Sequence, residues 1–254
     1  VQVRAMTDEQ IEETAQAFGN AARLVKEAGF DMVLIHGGHG WLLEQFSSPY
    51  FNRRTDKWGG SLENRMRFPL LVIEKVREAV GPHFPIEFRM SGSECIPEGY
   101  DIDEGVKMAK MIDGKVDLIH VSAGIHENND VFVITHPSMF IEHGCNVKYA
   151  EAVKKSGVKI PVTAIGGINT PEMAEEIIAS GKADAVAMCR ALIADPDLPI
   201  KARTGREKDI RKCLKCIHCF SHLVVQGRIC CALNPELVNR AAILYPFLSD
   251  FKLV

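Results

Sequence analysis

The sequence has no apolar run approaching the roughly 18 residues that a membrane-spanning helix needs, so no segment reads as a membrane anchor. Net charge is also slight, −3 over 254 residues, which gives no electrostatic reason to expect nucleic acid or an anionic membrane surface as a partner. No signal-peptide pattern precedes the first helix and there is no starting Met, so the true N-terminus is expected upstream. Low-complexity linkers are missing as well. With 46% hydrophobic and 25% charged residues, the expectation is one large α/β domain with an ordinary core.

Cysteine is not scarce. Of 8 cysteines, three crowd into residues 213–219. Disulfides join separate segments, so this spacing suits a metal or cluster better. A set of reduced thiols implies a reducing compartment, and a cytoplasmic location is expected.

The chain alternates helix and strand. Thr7 and Gln10 form a capping box, and Ile11, Ala15, Phe18, Ala22 and Val25 recur at helical spacing until Gly29 stops the element. Met32–Ile35 is a short apolar strand with no polar alternation, expected to be covered on both faces. Ser61 caps a predicted helix running to Val80, with a kink at Pro69. Further strands are predicted over Phe84–Met90, Asp117–Val121, Pro161–Ile165 and Ala183–Met188. The helices between them cover Asp103–Ile112, Val147–Lys155 and Pro171–Ala179, the last capped by Thr170. Such alternation predicts parallel βαβ units. A (β/α)8 TIM barrel needs eight strands, so three would precede residue 1; an open doubly wound sheet is the alternative. The barrel portion is assigned to residues 1–210, the cysteine segment to 211–240, and the apolar tail 241–254 is left unassigned.

Cys213, Cys216 and Cys219 are each separated by two residues, and Cys230–Cys231 follow after a loop. Three closely spaced thiolates plus a distant fourth is the ligation logic of a [4Fe–4S] cluster; a structural zinc site is the alternative. Adjacent cysteines point apart, so one of Cys230 and Cys231 binds. Candidate chemistry also lies at strand ends. His36 and His39 flank a glycine pair and could donate two N–H bonds to one carbonyl oxygen, polarising it; a metal pair or plain loop histidines are the alternatives. Arg89 ends an otherwise apolar strand and needs an anionic partner, either a flavin's N1–C2=O edge or a structural salt bridge. Gly166–Gly167, followed by a helix, and Arg190 after the next strand fit a phosphate site. His126 could transfer a proton, or be a surface histidine.

The run from His36 to Pro49, continuing Asn52 to Arg65, resembles the signature of the Old Yellow Enzyme family. Cys213, Cys216, Cys219 and Cys231-Ala-Leu-Asn-Pro are similar to its iron–sulfur branch, which includes 2,4-dienoyl-CoA reductase, clostridial 2-enoate reductases, bile-acid-inducible steroid reductases and trimethylamine dehydrogenase. The likeness covers roughly residues 7–237. It implies an FMN-binding barrel with a cluster beside it. His36 and His39 would hold the substrate carbonyl, and His126, in a His-Glu pair shared with the dienoyl-CoA reductases, would assist protonation. Arg89 would face the flavin pyrimidine; Gly166, Gly167, Cys189 and Arg190 would surround the FMN phosphate. Cys213, Cys216, Cys219 and Cys231 would hold the cluster, the family pattern selecting Cys231 over Cys230.

There are three departures. Trp41 stands where the family carries a proton-donating Tyr, the first three barrel strands are absent, and so are the FAD- and NAD-binding domains of this branch. The chain is therefore expected to be part of a longer protein, with FAD and NAD(P)H bound elsewhere. The resulting expectation is an NAD(P)H-dependent reductase of the activated C=C bond of an α,β-unsaturated carbonyl compound. An amine dehydrogenase and a fragment needing a partner are the rivals, and further domains or a homo-oligomer are the possible partners.

Overall fold

The computed structural model describes residues 4–237. The unassigned tail 241–254 lies outside the described residues, as does the end of the 211–240 segment.

In chain order the elements are α1 (Asp8–Glu27), β1 (Val33–Gly37), α2 (Leu42–Ser47), α3 (Leu62–Arg65), α4 (Arg67–Val80), β2 (Ile86–Ser91), α5 (Ile102–Ile112), β3 (Leu118–Ser122) and α6 (Asn129–Thr135). They continue with α7 (Val147–Lys155), β4 (Val162–Ala164), α8 (Pro171–Ala179), β5 (Ala185–Val186), α9 (Arg190–Ala194), α10 (Leu198–Arg203) and α11 (His218–Gln226). The strands form one parallel sheet in sequential order, β1-β2-β3-β4-β5. Sequential parallel order joined by helices is barrel order; it excludes the doubly wound alternative, in which the strand sequence reverses at a switch point.

Local chemistry explains the elements. The Thr7 hydroxyl accepts from Gln10 N–H at 3.3 Å while the Gln10 side chain accepts from Thr7 N–H at 3.0 Å, closing the capping box of α1. The buried stripe Ile11, Ala15, Ala22 lies against α4, and at Gly19 the two helices come so close that a Cβ would sit 2.7 Å from the Lys75 carbonyl oxygen. The helix predicted from Ser61 to Val80 is interrupted. Pro69 has no N–H to give the Arg65 carbonyl, and the chain breaks at Met66 into α3 and α4.

Ile35, Phe88, Ile119 and Val162 are all buried, at 3% exposure or less, and point outward toward the helices. The opposite face carries a cross-strand row in which His36 pairs in register with Arg89, Arg89 with His120, and His120 with Thr163. β1 is the edge of the described sheet, and on this inner face Leu34 is 41% exposed. The expectation that this strand is covered on both faces is corrected accordingly: its outer face packs, its inner face is open. β5 is also shorter than predicted, because the chain leaves the ladder after Val186 to deliver Cys189 and Arg190.

Candidate functional site

The loop after β1 is drawn tight against β2. A Cβ at Gly37 would meet the Phe88 ring at 2.3 Å and one at Gly38 would meet Ser91 N at 2.8 Å, so only glycine passes there. His39 then adopts a left-handed turn (φ 62°), with its N–H donated to Ser91 Oγ at 3.1 Å. Its carbonyl accepts from His126 N–H at 3.3 Å, which joins this loop to the one after β3. The predicted His36, His39 and His126 therefore meet. His39 Nδ1 is 3.3 Å from His36 Nε2, and the His39 and His126 rings stack at 5.4 Å. The two histidines engage each other, where the sequence reading had both aimed at one oxygen. The ring nitrogens left without partners are His36 Nδ1 and His126 Nε2, both buried.

Burial, followed by the nearby Arg89 charge, pulls His36 down to about 4 and His39 to about 2; His126 is lowered by the same causes. At neutral pH these are uncharged imidazoles, able to donate N–H bonds without a formal charge. Trp41 meets His126 edge-on at 5.4 Å, and its own side is half exposed.

Sequence reasoning missed two residues here. Ser122 lies 2.7 Å from His39 Nε2 through its hydroxyl. His136 packs 5.1 Å from the His126 ring and is lowered to about 4 by burial and by the charges around it. Its position before Pro137, in the segment that follows β3, was the available signal.

Beside this cluster a cleft opens, with Arg89, Gly166, Gly167, Cys189 and Arg190 on its wall. Arg89 Nε and Arg190 Nη1 are buried and without partners in it. Burial lowers the Arg89 pKa, while the neighbouring Cys189 and Glu87 pull it up. Gly166 (φ 132°) turns where a Cβ would lie 2.8 Å from Asn146 N, and Gly167 (φ 70°) follows. The Thr170 hydroxyl caps α8 through Met173 N–H at 3.2 Å. Two guanidinium groups, each with one buried nitrogen left unpaired, and a side-chain-free double turn fit an anionic, planar, phosphate-bearing ligand.

The cysteine segment closes the same cleft, since Cys213 and Cys219 also line it. Cys213, Cys216, Cys219 and Cys231 together surround a second, smaller cleft next to Arg190, and Cys230 is not on its wall. Left-handed turns at Lys215 (φ 53°) and Ile217 (φ 61°) bend the knuckle. Backbone N–H groups of Lys215 and Leu233 donate to the Cys213 and Cys231 sulfurs, each at 3.4 Å. The Asn169 amide donates to the Cys213 carbonyl at 3.1 Å, and Asn234 to Ile193 at 2.9 Å, anchoring both arms to the barrel. All eight cysteines are free thiols. Among the described residues no three His, Cys, Asp or Glu side chains converge tightly enough to hold one metal ion.

A parallel βα barrel portion whose strand-end loops gather histidines, arginines and a glycine turn is the frame of a barrel oxidoreductase. The family model described as NADH:flavin oxidoreductase / NADH oxidase matches residues 1–209, and the chain belongs to that family, the Old Yellow Enzyme-like flavin oxidoreductases. It is 48% identical over 237 residues to an NADH oxidase of Thermoanaerobacter brockii, covering 92% of this chain and 36% of that protein. It is 35% identical over 252 residues to a cinnamate reductase of Clostridium sporogenes, covering 92% and 37%. The solved 2-naphthoyl-CoA reductase complex superposes with a TM-score of 0.87 at 36% identity, covering 93% of this chain and 36% of that one. The chain thus spans just over a third of the length of these relatives. Among the described residues no helix is long and apolar enough to cross a membrane.

Proposed function

We propose that the chain carries the FMN site, the substrate site and a [4Fe–4S] site of an NAD(P)H-dependent reductase acting on the activated C=C bond of an α,β-unsaturated carbonyl compound. One observation carries this reading: Cys213 and Cys219 share a cleft wall with Arg89, Gly166, Gly167 and Arg190, so a thiolate-held cluster and a flavin would be neighbours. When bound, FMN supplies hydride chemistry and the cluster supplies single electrons.

The residues have separable tasks. Arg89, unpaired at Nε, would face the negative pyrimidine edge; Gly166, Gly167, Cys189 and Arg190 would enclose the phosphate. His36, through its unpaired Nδ1, would donate an N–H bond to the substrate carbonyl and stabilise the enolate oxygen, while His39, its ring held between His36 Nε2 and the Ser122 hydroxyl, would hold the His36 ring in the tautomer that can donate. His126 is held neutral, so it would work as a relay, taking a proton from water as it hands one to the α-carbon. Trp41 has no useful acid and would serve as an apolar wall. Cys213, Cys216, Cys219 and Cys231 would ligate the cluster; burial raises the Cys213 and Cys219 thiols, and the Arg190 charge offsets part of that rise.

This reading would place the barrel portion in residues 1–210 and the cluster segment from 211 onward. FAD and NAD(P)H would bind outside this chain's residues, and a reducing, cytoplasmic setting would suit a cluster held by thiolates. The test is anaerobic purification followed by flavin, iron and sulfide assay, then a panel of cinnamate, acyl-CoA and steroid enones. A double variant, His36→Ala with His39→Ala, that still reduced enoates at near wild-type rate would sink the substrate assignment. Flavin bleaching by an amine instead would favour the dehydrogenase branch.

A further inference from the structure

We propose that Glu44 is kept as a neutral carboxylic acid and that its proton makes it the positioning residue of the His36–Gly40 loop. Glu44 is wholly buried in α2. One carboxyl oxygen accepts the Gly40 N–H, and the other touches the Tyr100 hydroxyl. The Tyr100 oxygen also lies 3.0 Å from the Ser91 carbonyl oxygen.

Counting protons decides the state. A phenol has one hydrogen, and an ionised Glu44 would present it with two acceptors. One buried oxygen–oxygen contact would then have no proton in it. With Glu44 protonated, its O–H donates to Tyr100, the Tyr100 O–H donates to Ser91, and the Gly40 N–H donates to the remaining oxygen. Every group in the chain of bonds is satisfied once.

The surroundings agree. Glu94, also fully buried, accepts the Tyr100 N–H at 2.9 Å, leaves Oε1 without a partner, and opposes a second negative charge nearby. Arg65, whose charge acts on Glu94, is committed to the Ser47 carbonyl and to Glu104. Glu127 crowds Gly40 from the other loop, and His39 beside it is neutral. The N-terminal turn of α2 favours an anion, as do the bonds from Tyr100 and Gly40. Burial is the larger effect and, with Glu94, pushes Glu44 up to about 8.

The network reaches the site on both sides of His39. Gly40 is its chain neighbour, and Ser91 Oγ accepts the His39 N–H while donating to the Gly124 carbonyl at 3.0 Å. One proton on Glu44 thereby fixes the left-handed turn that aims the His39 ring. That this ring holds His36 toward a carbonyl oxygen rests on the reading above; the protonation state does not.

The test is a pH titration of the whole protein by nuclear magnetic resonance, with glutamate carboxyl carbons and glycine amides labelled. One glutamate carboxyl signal should titrate near pH 8, and the Gly40 amide should move with the same midpoint. In Glu44→Gln both changes should vanish, because the amide N–H donates to Tyr100 and its carbonyl accepts from Gly40 at every pH. If that variant does not fold, Tyr100→Phe identifies the signal by removing the acid's acceptor and shifting its midpoint. Titration of Glu44 in the ordinary carboxylate range would overturn the proposal, as would a Gly40 amide that stays still while Glu44 ionises. A wrong enoate assignment would appear only in turnover assays and would leave these spectra unchanged.

Discussion

The Ser122 hydroxyl, at the end of β3, stands 2.7 Å from Nε2 of His39, a residue of the loop after β1. Both residues are buried. The contact fixes the His39 ring from the side opposite His36, so strand β3 sets the orientation of a side chain that β1 delivers. Ser122→Ala leaves a buried imidazole nitrogen unpaired. The expected result is a loss of about 1–2 kcal/mol in urea unfolding. A fall of roughly fivefold in kcat/KM for an enoate substrate should accompany it, as the freed ring spends less time in its working orientation. Unchanged kinetics alongside lowered stability would assign Ser122 to folding alone.

Arg89 offers a second test. It sits in register between His36 and His120 with Nε unpaired. Arg89→Gln keeps a polar side chain and removes the charge. FMN affinity should fall about tenfold, equivalent to about 1.4 kcal/mol. The flavin potential should drop by roughly 30 mV for a comparable loss at the reduced, more negative ring. Fluorescence titration and spectroelectrochemistry measure the two separately, and equal loss in both redox states would place Arg89 in general binding rather than in tuning.

Much of this was legible in the sequence because it is local. The capping box of α1, the Thr170 cap of α8 and the strand-end glycines need only a few neighbouring residues to be seen. The histidine loop and the cysteine spacing were legible for the same reason. Ser122, His136 and the Glu44–Tyr100 pair were not. Glu44 and Tyr100 are 56 positions apart and His39 and Ser122 are 83 apart, and each pair is joined by fold geometry with no local pattern behind it. The mutual contact of His36 and His39 also escaped, because loop spacing says which side chains are near and not which nitrogens face each other. β5 came out short for a tertiary reason: its ladder ends where the chain turns to build the cleft.

The two adjacent cysteines near residue 230 should behave differently. Cys231 lines the small cleft with Cys213, Cys216 and Cys219, whereas Cys230 is buried away from it. Cys231→Ser should lose most of the iron and sulfide from anaerobically purified protein, with the visible cluster absorption. Cys230→Ser should keep both and show at most the about 1 kcal/mol change typical of a small buried substitution. The reverse pattern would move the fourth ligand to Cys230 and require the segment after Gly227 to turn over.

Acid should weaken the fold through the histidines, and the sign follows from their shifts. His39, ordinarily near 6.5, is lowered to about 2 by burial and by the Arg89, His36, His126 and His136 charges; His36 and His136 are lowered to about 4. Below pH 6.5 the unfolded chain takes up protons that the folded chain refuses, so stability falls as pH falls, and the loss continues until the folded pKa is reached. His39 is almost completely buried and can contribute a slope approaching about 1.4 kcal/mol per pH unit. His36 and His136 are more open to solvent and should add less. Urea midpoints measured from about pH 7 to about pH 5 should therefore drop steadily, and His39→Asn, which cannot be protonated, should flatten the slope even though it lowers the midpoint at neutral pH. A slope unchanged by the substitution would mean that carboxylates elsewhere govern the acid limb and that the His39 ring reaches water more freely than its packing against Ser122 and His126 allows.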